Sequence, residues 1–310
     1  MSIIEKALDK ATVSGQSLSL DTEPGKSGEK RMRSTSSPVV SDHIDQIRTV
    51  TEDARLIAVD WAALRRRGML VPESANSQLA EEYRVIKRPL LMNAFPEGDN
   101  GIERANLILV TSSVPGEGKT FTAMNLALSI AMEREKTVLL IDADVAKPSI
   151  GGLLGLPGQA GLIDLLKDAS VRYGDVAFKT DIPNLTVLPA GKQDRHSTEL
   201  LASDAMKRLA REFSERYSDR VVIFDSPPLL AATQGAVLAS LVGQVVLVVE
   251  ADTTPQYIVK ESFSKLESCE VIGCVLNKTK KGFGFRYYGY YGYGYGYGYG
   301  YYGQSAPTRD

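Results

Sequence analysis

The segment Asn106-Leu-Ile-Leu-Val-Thr111 is a strand-length apolar run. It leads into Ser113-Val-Pro-Gly-Glu-Gly-Lys-Thr120, and a helical pattern begins near Lys119. Strand, glycine-rich loop and helix, in that order, form the setting in which a loop wraps a chain of phosphates. Gly116 and Gly118 let the backbone approach an anion closely, and the N–H groups of the loop and helix N-terminus point at it. This reading assigns Ser113, Pro115, Gly116, Glu117, Gly118, Lys119, Thr120 and Thr122 to nucleotide binding. Lys119 is expected to bridge the β and γ phosphates of ATP, and Thr120 to offer its hydroxyl to Mg²⁺. Ser113 stands where the usual pattern has its first glycine.

The rest of the chain constrains the fold around that loop. Short apolar runs recur at Leu107–Thr111, Val138–Asp142, Leu185–Leu188, Val221–Asp225, Val245–Glu250 and Val271–Asn277. Helical patterns lie between several of them, at Thr120–Arg134, Thr198–Tyr217 and Pro255–Glu267. Alternating strands and helices with almost purely apolar strands predict an α/β fold of the P-loop NTPase class. Its sheet is mostly parallel and is covered by helices on both faces. A hydrophobic fraction of 43% supplies the core. A net charge of -2 gives no electrostatic reason to expect nucleic acid as a partner. Cys269 and Cys274 have neither a CxxC nor a metal-ligand spacing, and are read as small buried residues in a reducing compartment.

Three carboxylates close the apolar runs. Leu139-Leu-Ile-Asp-Ala-Asp144 ends in two acids, two residues apart, which at a strand end point the same way. In an α/β sheet that direction is the ligand crevice beyond the strand C-termini. Asp225 closes Val221-Val-Ile-Phe-Asp225, and Pro227 and Pro228 stop the strand. The catalytic set is read as Lys119, Asp142 and Asp144, with Asp142 taking a hydroxyl proton. Thr120, Asp144 and Asp225 are the expected Mg²⁺ ligands.

Composition divides the chain into three. Residues 1–75 are polar and read as largely disordered over Ser14–Ser41, with Leu56–Leu70, carrying Arg65-Arg66-Arg67, as a docking segment. Residues 76–280 form the folded domain. Residues 281–310 are a flexible tail: 282–303 hold 10 Tyr and 9 Gly and no acidic residue, with too much glycine for a helix and no aliphatic residue for a core. No apolar run approaches the roughly 18–20 residues that span a bilayer, so the expected location is the cytoplasm.

Taken together these motifs resemble the bacterial tyrosine kinases (BY-kinases) of capsule and exopolysaccharide systems. The resemblance is carried by Ser-Ser-Val-Pro-Gly-Glu-Gly-Lys-Thr (112–120), Ile-Asp-Ala-Asp (141–144), Phe-Asp-Ser-Pro-Pro (224–228) and the terminal tyrosine cluster. It implies that Tyr287, Tyr288, Tyr290, Tyr291, Tyr293, Tyr295, Tyr297, Tyr299, Tyr301 and Tyr302 are autophosphorylation sites. It also implies that Glu81, Arg84 and Lys87, a variant of the family's ExxRxxR helix, mediate a ring-like homo-oligomer. The runs Ala80–Leu91 and Glu199–Ser203 are similar to the cytoplasmic subgroup associated with PEP-CTERM/exosortase systems. Such a kinase implies a separate membrane-bound activator of the chain-length-determinant type, which recruits it to the inner face of the plasma membrane. It further implies an opposing tyrosine phosphatase. One departure is Ala146, where the family's second motif usually has arginine; Lys147 follows it. The alternative is a switch ATPase of the partitioning or division-site type, but its signature lysine is replaced here by Val114.

Overall fold

The computed structural model of the chain describes residues 55–98, 101–217 and 219–280. The readings made above for Ser14–Ser41 and for the tyrosines between 287 and 302 lie outside the described residues. The strands are β1 (Arg55–Ile57), β2 (Leu107–Ser112), β3 (Thr137–Asp142), β4 (Phe178–Thr180), β5 (Leu185–Leu188), β6 (Arg220–Asp225), β7 (Gln244–Glu250) and β8 (Val271–Asn277). They form one sheet in the order β1-β4-β5-β3-β6-β2-β7-β8. Every pairing is parallel except β4 with β5. The main helices are α1 (Trp61–Arg66), α2 (Gln78–Ala94), α3 (Lys119–Ala131), α4 (Asp204–Glu215) and α5 (Gln256–Ser264). None of the described helices is long and apolar enough to cross a membrane.

The continuous apolar strands make sense once both faces are covered. Alternate residues of a strand face opposite sides. On one face, Leu107, Leu109, Leu139, Ile141, Val222 and Phe224 join a cluster with Met206, Leu209, Ala210 and Phe213 of α4. Those four α4 residues recur at i, i+3, i+4 and i+7, a single helical stripe. On the other face, Ile108, Val110, Val138, Leu140, Val221 and Ile223 pack against α3. Full burial of one such side chain contributes about 1.5–3 kcal/mol. Helix α3 is buried all round from Thr122 to Ala131, because α2 covers its outer side.

Three expectations change. The helical pattern at Thr198–Tyr217 is two helices, Ser197–Leu201 and α4, because Ser203 caps the second by accepting from the N–H of Met206 at 3.3 Å. The folded unit also starts by Arg55 rather than at residue 76. β1 pairs with β4, and Leu64, Met69, Leu70 and Val71 are buried in the α3 side of the core. The N–H of Leu70 donates to Asn125 Oδ1 at 2.7 Å, and that of Val59 to Asp181 Oδ1 at 3.0 Å. The segment read as a docking strip is thus part of the domain. Its pattern hid this, since isolated apolar residues between arginines show neither strand nor helix period. Cys269 is half-buried, whereas Cys274, read as buried, is exposed on β8.

Candidate active site

The loop from Ser113 to Gly118 runs from the C-terminal end of β2 to the N-terminus of α3. Gly116 and Gly118 both take the left-handed backbone, with φ of 95° and 101°. Residues with a Cβ resist that conformation, so glycine is required where the loop curls back over the helix start. Pro115 and Gly116 form an exposed rim. Ser113 is fully buried, and its hydroxyl has no hydrogen-bond partner among the described residues. Glu117 points its buried side chain away from the cradle. One oxygen accepts from the N–H of Val114 at 2.8 Å, and the other from Thr254 Oγ1 at 2.5 Å. Glu117 therefore braces the loop, and its main chain is what a phosphate would meet.

The strand ends bring the carboxylates together. Asp142 and Asp225 are register partners across β3 and β6. Thr120 Oγ1 donates to Asp225 Oδ2 at 2.6 Å. Lys119 Nζ lies 2.6 Å from Asp144 Oδ2 and 3.9 Å from Asp225 Oδ1. Asp142 Oδ2 accepts from the N–H groups of Ser149 and Ile150, both at 2.9 Å, and so caps the short helix Ile150–Leu153. Its other oxygen, like Asp225 Oδ1, is buried with no hydrogen bond. Burial pushes the Asp142 carboxyl up to about 6, against the pull of the two N–H donors. Burial pushes Asp225 up to about 7, although Lys119 opposes it.

Two orphaned carboxylate oxygens beside a lysine and a threonine hydroxyl suit a hydrated divalent cation. Among the described residues, no three His, Cys, Asp or Glu side chains are arranged to hold a metal by themselves. Mg²⁺ normally takes one or two carboxylates and completes its shell with substrate phosphates and water, so the donor set fits an ion that arrives with a nucleotide.

Other predicted residues fall elsewhere. Thr122 is fully buried against Tyr83 of α2, so it packs two helices together rather than facing the loop. Glu81 and Arg84 pair on the exposed side of α2, and Arg84 also donates to the carbonyl of Ala75 at 2.6 Å. Lys87 turns inward, 8% exposed, donating to the carbonyl of Ser129 at 2.7 Å and pairing with Glu133. It is not on the surface that Glu81 and Arg84 present. Lys147 is exposed and its N–H donates to Asp144 Oδ1 at 3.0 Å. Sequence reasoning missed the support behind the loop. Asn277, at the end of β8, donates through its side chain to the carbonyl of Glu117 at 2.7 Å. The polar pair Asn277-Lys278 closing an apolar strand was the signal that could have found it.

Comparison with known proteins gives this geometry its relatives. A family model described as an AAA domain matches residues 105–261. The tyrosine-protein kinase YwqD of Bacillus subtilis is 35% identical over 68% of this chain and 85% of its own length. The succinoglycan biosynthesis transport protein ExoP of Rhizobium meliloti is 31% identical over 71% of this chain and 27% of its own. Among solved structures, the VpsO kinase domain is similar with a TM-score of 0.56 and 29% identity, over 68% of this chain and 100% of that one. A tyrosine kinase matched over most of its length, with the phosphate loop and strand-end acids in register on one sheet, places this chain in the bacterial tyrosine-protein kinase family.

Proposed function

We propose that this kinase transfers the γ-phosphoryl group of ATP to its own tyrosine cluster, Tyr287 to Tyr302, mainly from one subunit to the tail of another. The supporting observation is the convergence of Lys119, Thr120, Asp142, Asp144 and Asp225 at the mouth of the loop. When bound, Mg²⁺ neutralises charge on the β and γ phosphates. Thr120, Asp144 and Asp225 are the residues that would hold it. Lys119, now paired with Asp144, is positioned to turn to the phosphates, which would free Asp144. Asp142 accepts the tyrosine proton. An ordinary tyrosine titrates near pH 10, so it needs such a base, and a carboxylate raised to about 6 is a better one than an ordinary aspartate.

The wider reading rests on the family resemblance. Glu81 and Arg84 lie on an exposed helix face suited to a ring-like homo-oligomer, and Lys87 supports that helix from within. The kinase works in the cytoplasm and is recruited to the inner face of the plasma membrane by a separate chain-length-determinant-type activator. A tyrosine phosphatase resets it. The cycle regulates exopolysaccharide polymerisation or export, in the subgroup associated with PEP-CTERM systems. The polar N-terminal region, the kinase domain and the Tyr/Gly-rich tail of residues 281–310 act as three parts.

Lys119→Met tests the site. Losing the charge that meets the transferring phosphoryl should lower the rate of tail labelling by about 100-fold or more. Circular dichroism should remain that of a folded domain. Wild-type labelling by this variant, read by mass spectrometry after incubation with ATP and Mg²⁺, would remove the assignment.

A further inference from the structure

Directly beyond Asp144 the surface opens into a cavity of about 390 Å³. Val145 and Ala146, the next two residues of the chain, form one wall; Arg195, Thr198 and Gln234 contribute to the others. The volume lies within the range of about 300–1,000 Å³ typical of small-molecule sites. None of the groups assigned to nucleotide or Mg²⁺ lines it.

Gln193, Asp194 and Ser197 complete a mixed, mainly polar lining. Val145 and Ala146 form an apolar strip, of which Ala146 is the exposed part and Val145 packs into the core. Arg195 is exposed and makes no hydrogen bond or ion pair with any described residue. Its neighbour Asp194 does not neutralise it, because that carboxylate is taken by Lys167 and by the N–H of His196. An uncommitted guanidinium beside an apolar strip is a partner for the face of an aromatic ring. Gln234 Nε2 donates to Thr198 Oγ1 at 2.7 Å, which leaves the buried Gln234 Oε1 without a donor.

We infer that this cavity seats the acceptor tyrosine, with its ring on Val145 and Ala146 and under Arg195. Arg195 is the specificity-determining residue for the aromatic acceptor. The inference rests on the proposed tail phosphorylation, and the tail's own chemistry matches it. Residues 287–302 alternate tyrosine with glycine and carry no charged side chain, so a ring can enter with its flanking backbone unhindered. Asp144 immediately precedes the Val145–Ala146 wall, and Asp142 lies two residues before it.

The test uses the full chain and a synthetic peptide of residues 286–303 as acceptor. Arg195→Ala should raise the KM for the peptide roughly threefold to tenfold, with a smaller change in kcat. Ala146→Trp fills the cavity and should raise KM further. Affinity for a fluorescent ATP analogue should stay at the wild-type value in both, which separates acceptor binding from damage to the loop. If the wild-type chain labels its own tail but both variants keep the wild-type KM for the peptide, the cavity assignment is overturned. Loss of analogue binding in both variants would equally overturn it, showing that these residues serve the nucleotide. If the wild-type chain labels no tyrosine at all, the proposed function fails and this inference falls with it.

Discussion

Lys119 sits between acids that would otherwise repel one another, but burial more than charge sets how two of them respond to pH in the ligand-free protein. Asp142 and Asp225 are raised to about 6 and about 7 from an ordinary 3.8, with burial the largest cause in each. Between those limits the folded chain holds protons that the unfolded chain has shed. Their stabilising contribution is therefore complete below about pH 4 and is lost as pH rises through 6 to 7. In EDTA, without nucleotide, the thermal midpoint should fall between pH 5 and pH 8. Asp225→Asn, whose amide oxygen can still accept from Thr120, should flatten that fall. Equal slopes for the two proteins, measured by calorimetry, would show that Asp225 is already ionised in the folded state. At this scale the sequence was informative. Lys119, Thr120 and the three aspartates were legible because each ends an apolar run or follows paired glycines. The inward turn of Lys87 was not legible. A lysine in a helical salt-bridge pattern reads as solvated, and only the carbonyl of Ser129 on a neighbouring helix reveals otherwise.

Among the elements, the closest contact at the loop is between pieces distant in sequence. A Cβ built on Gly118 would lie 2.1 Å from Asn277 Nδ2, at a backbone φ of 101°. Gly118→Ala should therefore cost about 1–3 kcal/mol from the backbone alone, with the collision added. Pairing it with Asn277→Ala should recover the collision and leave the backbone strain. Urea unfolding of the single and double variants distinguishes these terms; an undiminished loss in the double variant would mean that Asn277 does not crowd the loop. The six predicted strands all form, with ends shifted by no more than a residue; five are buried on both faces and read as continuous apolar runs, while β8, at the sheet edge, is partly exposed. β1 and β4, at three residues each, are too short to show any period. Their pairing is set by contacts between residues 55–57 and 178–180 that no local pattern encodes.

At the scale of the whole molecule, the division of labour between copies is the property to measure. Mixing a Lys119→Met chain with an intact-site chain that lacks residues 282–310 leaves one route to a labelled tail, from one chain to the other. Phosphate should accumulate on the Lys119→Met tail, at a rate that rises with total protein concentration. An unlabelled tail would mean that each chain serves only itself. The place where that tail departs from the domain has a mechanical side. Asn277 accepts from the N–H of Ala251 at 2.9 Å and grips the carbonyl of Glu117 at 2.7 Å, three residues before Lys280. Any pull on the tail runs through this knot into the phosphate loop, with Glu117 as the hitch and Thr254 as the post it is tied to. If copies hold one another's tails as proposed, a pull on the tail would reach the phosphate loop through Asn277 and Glu117, and release would slacken it.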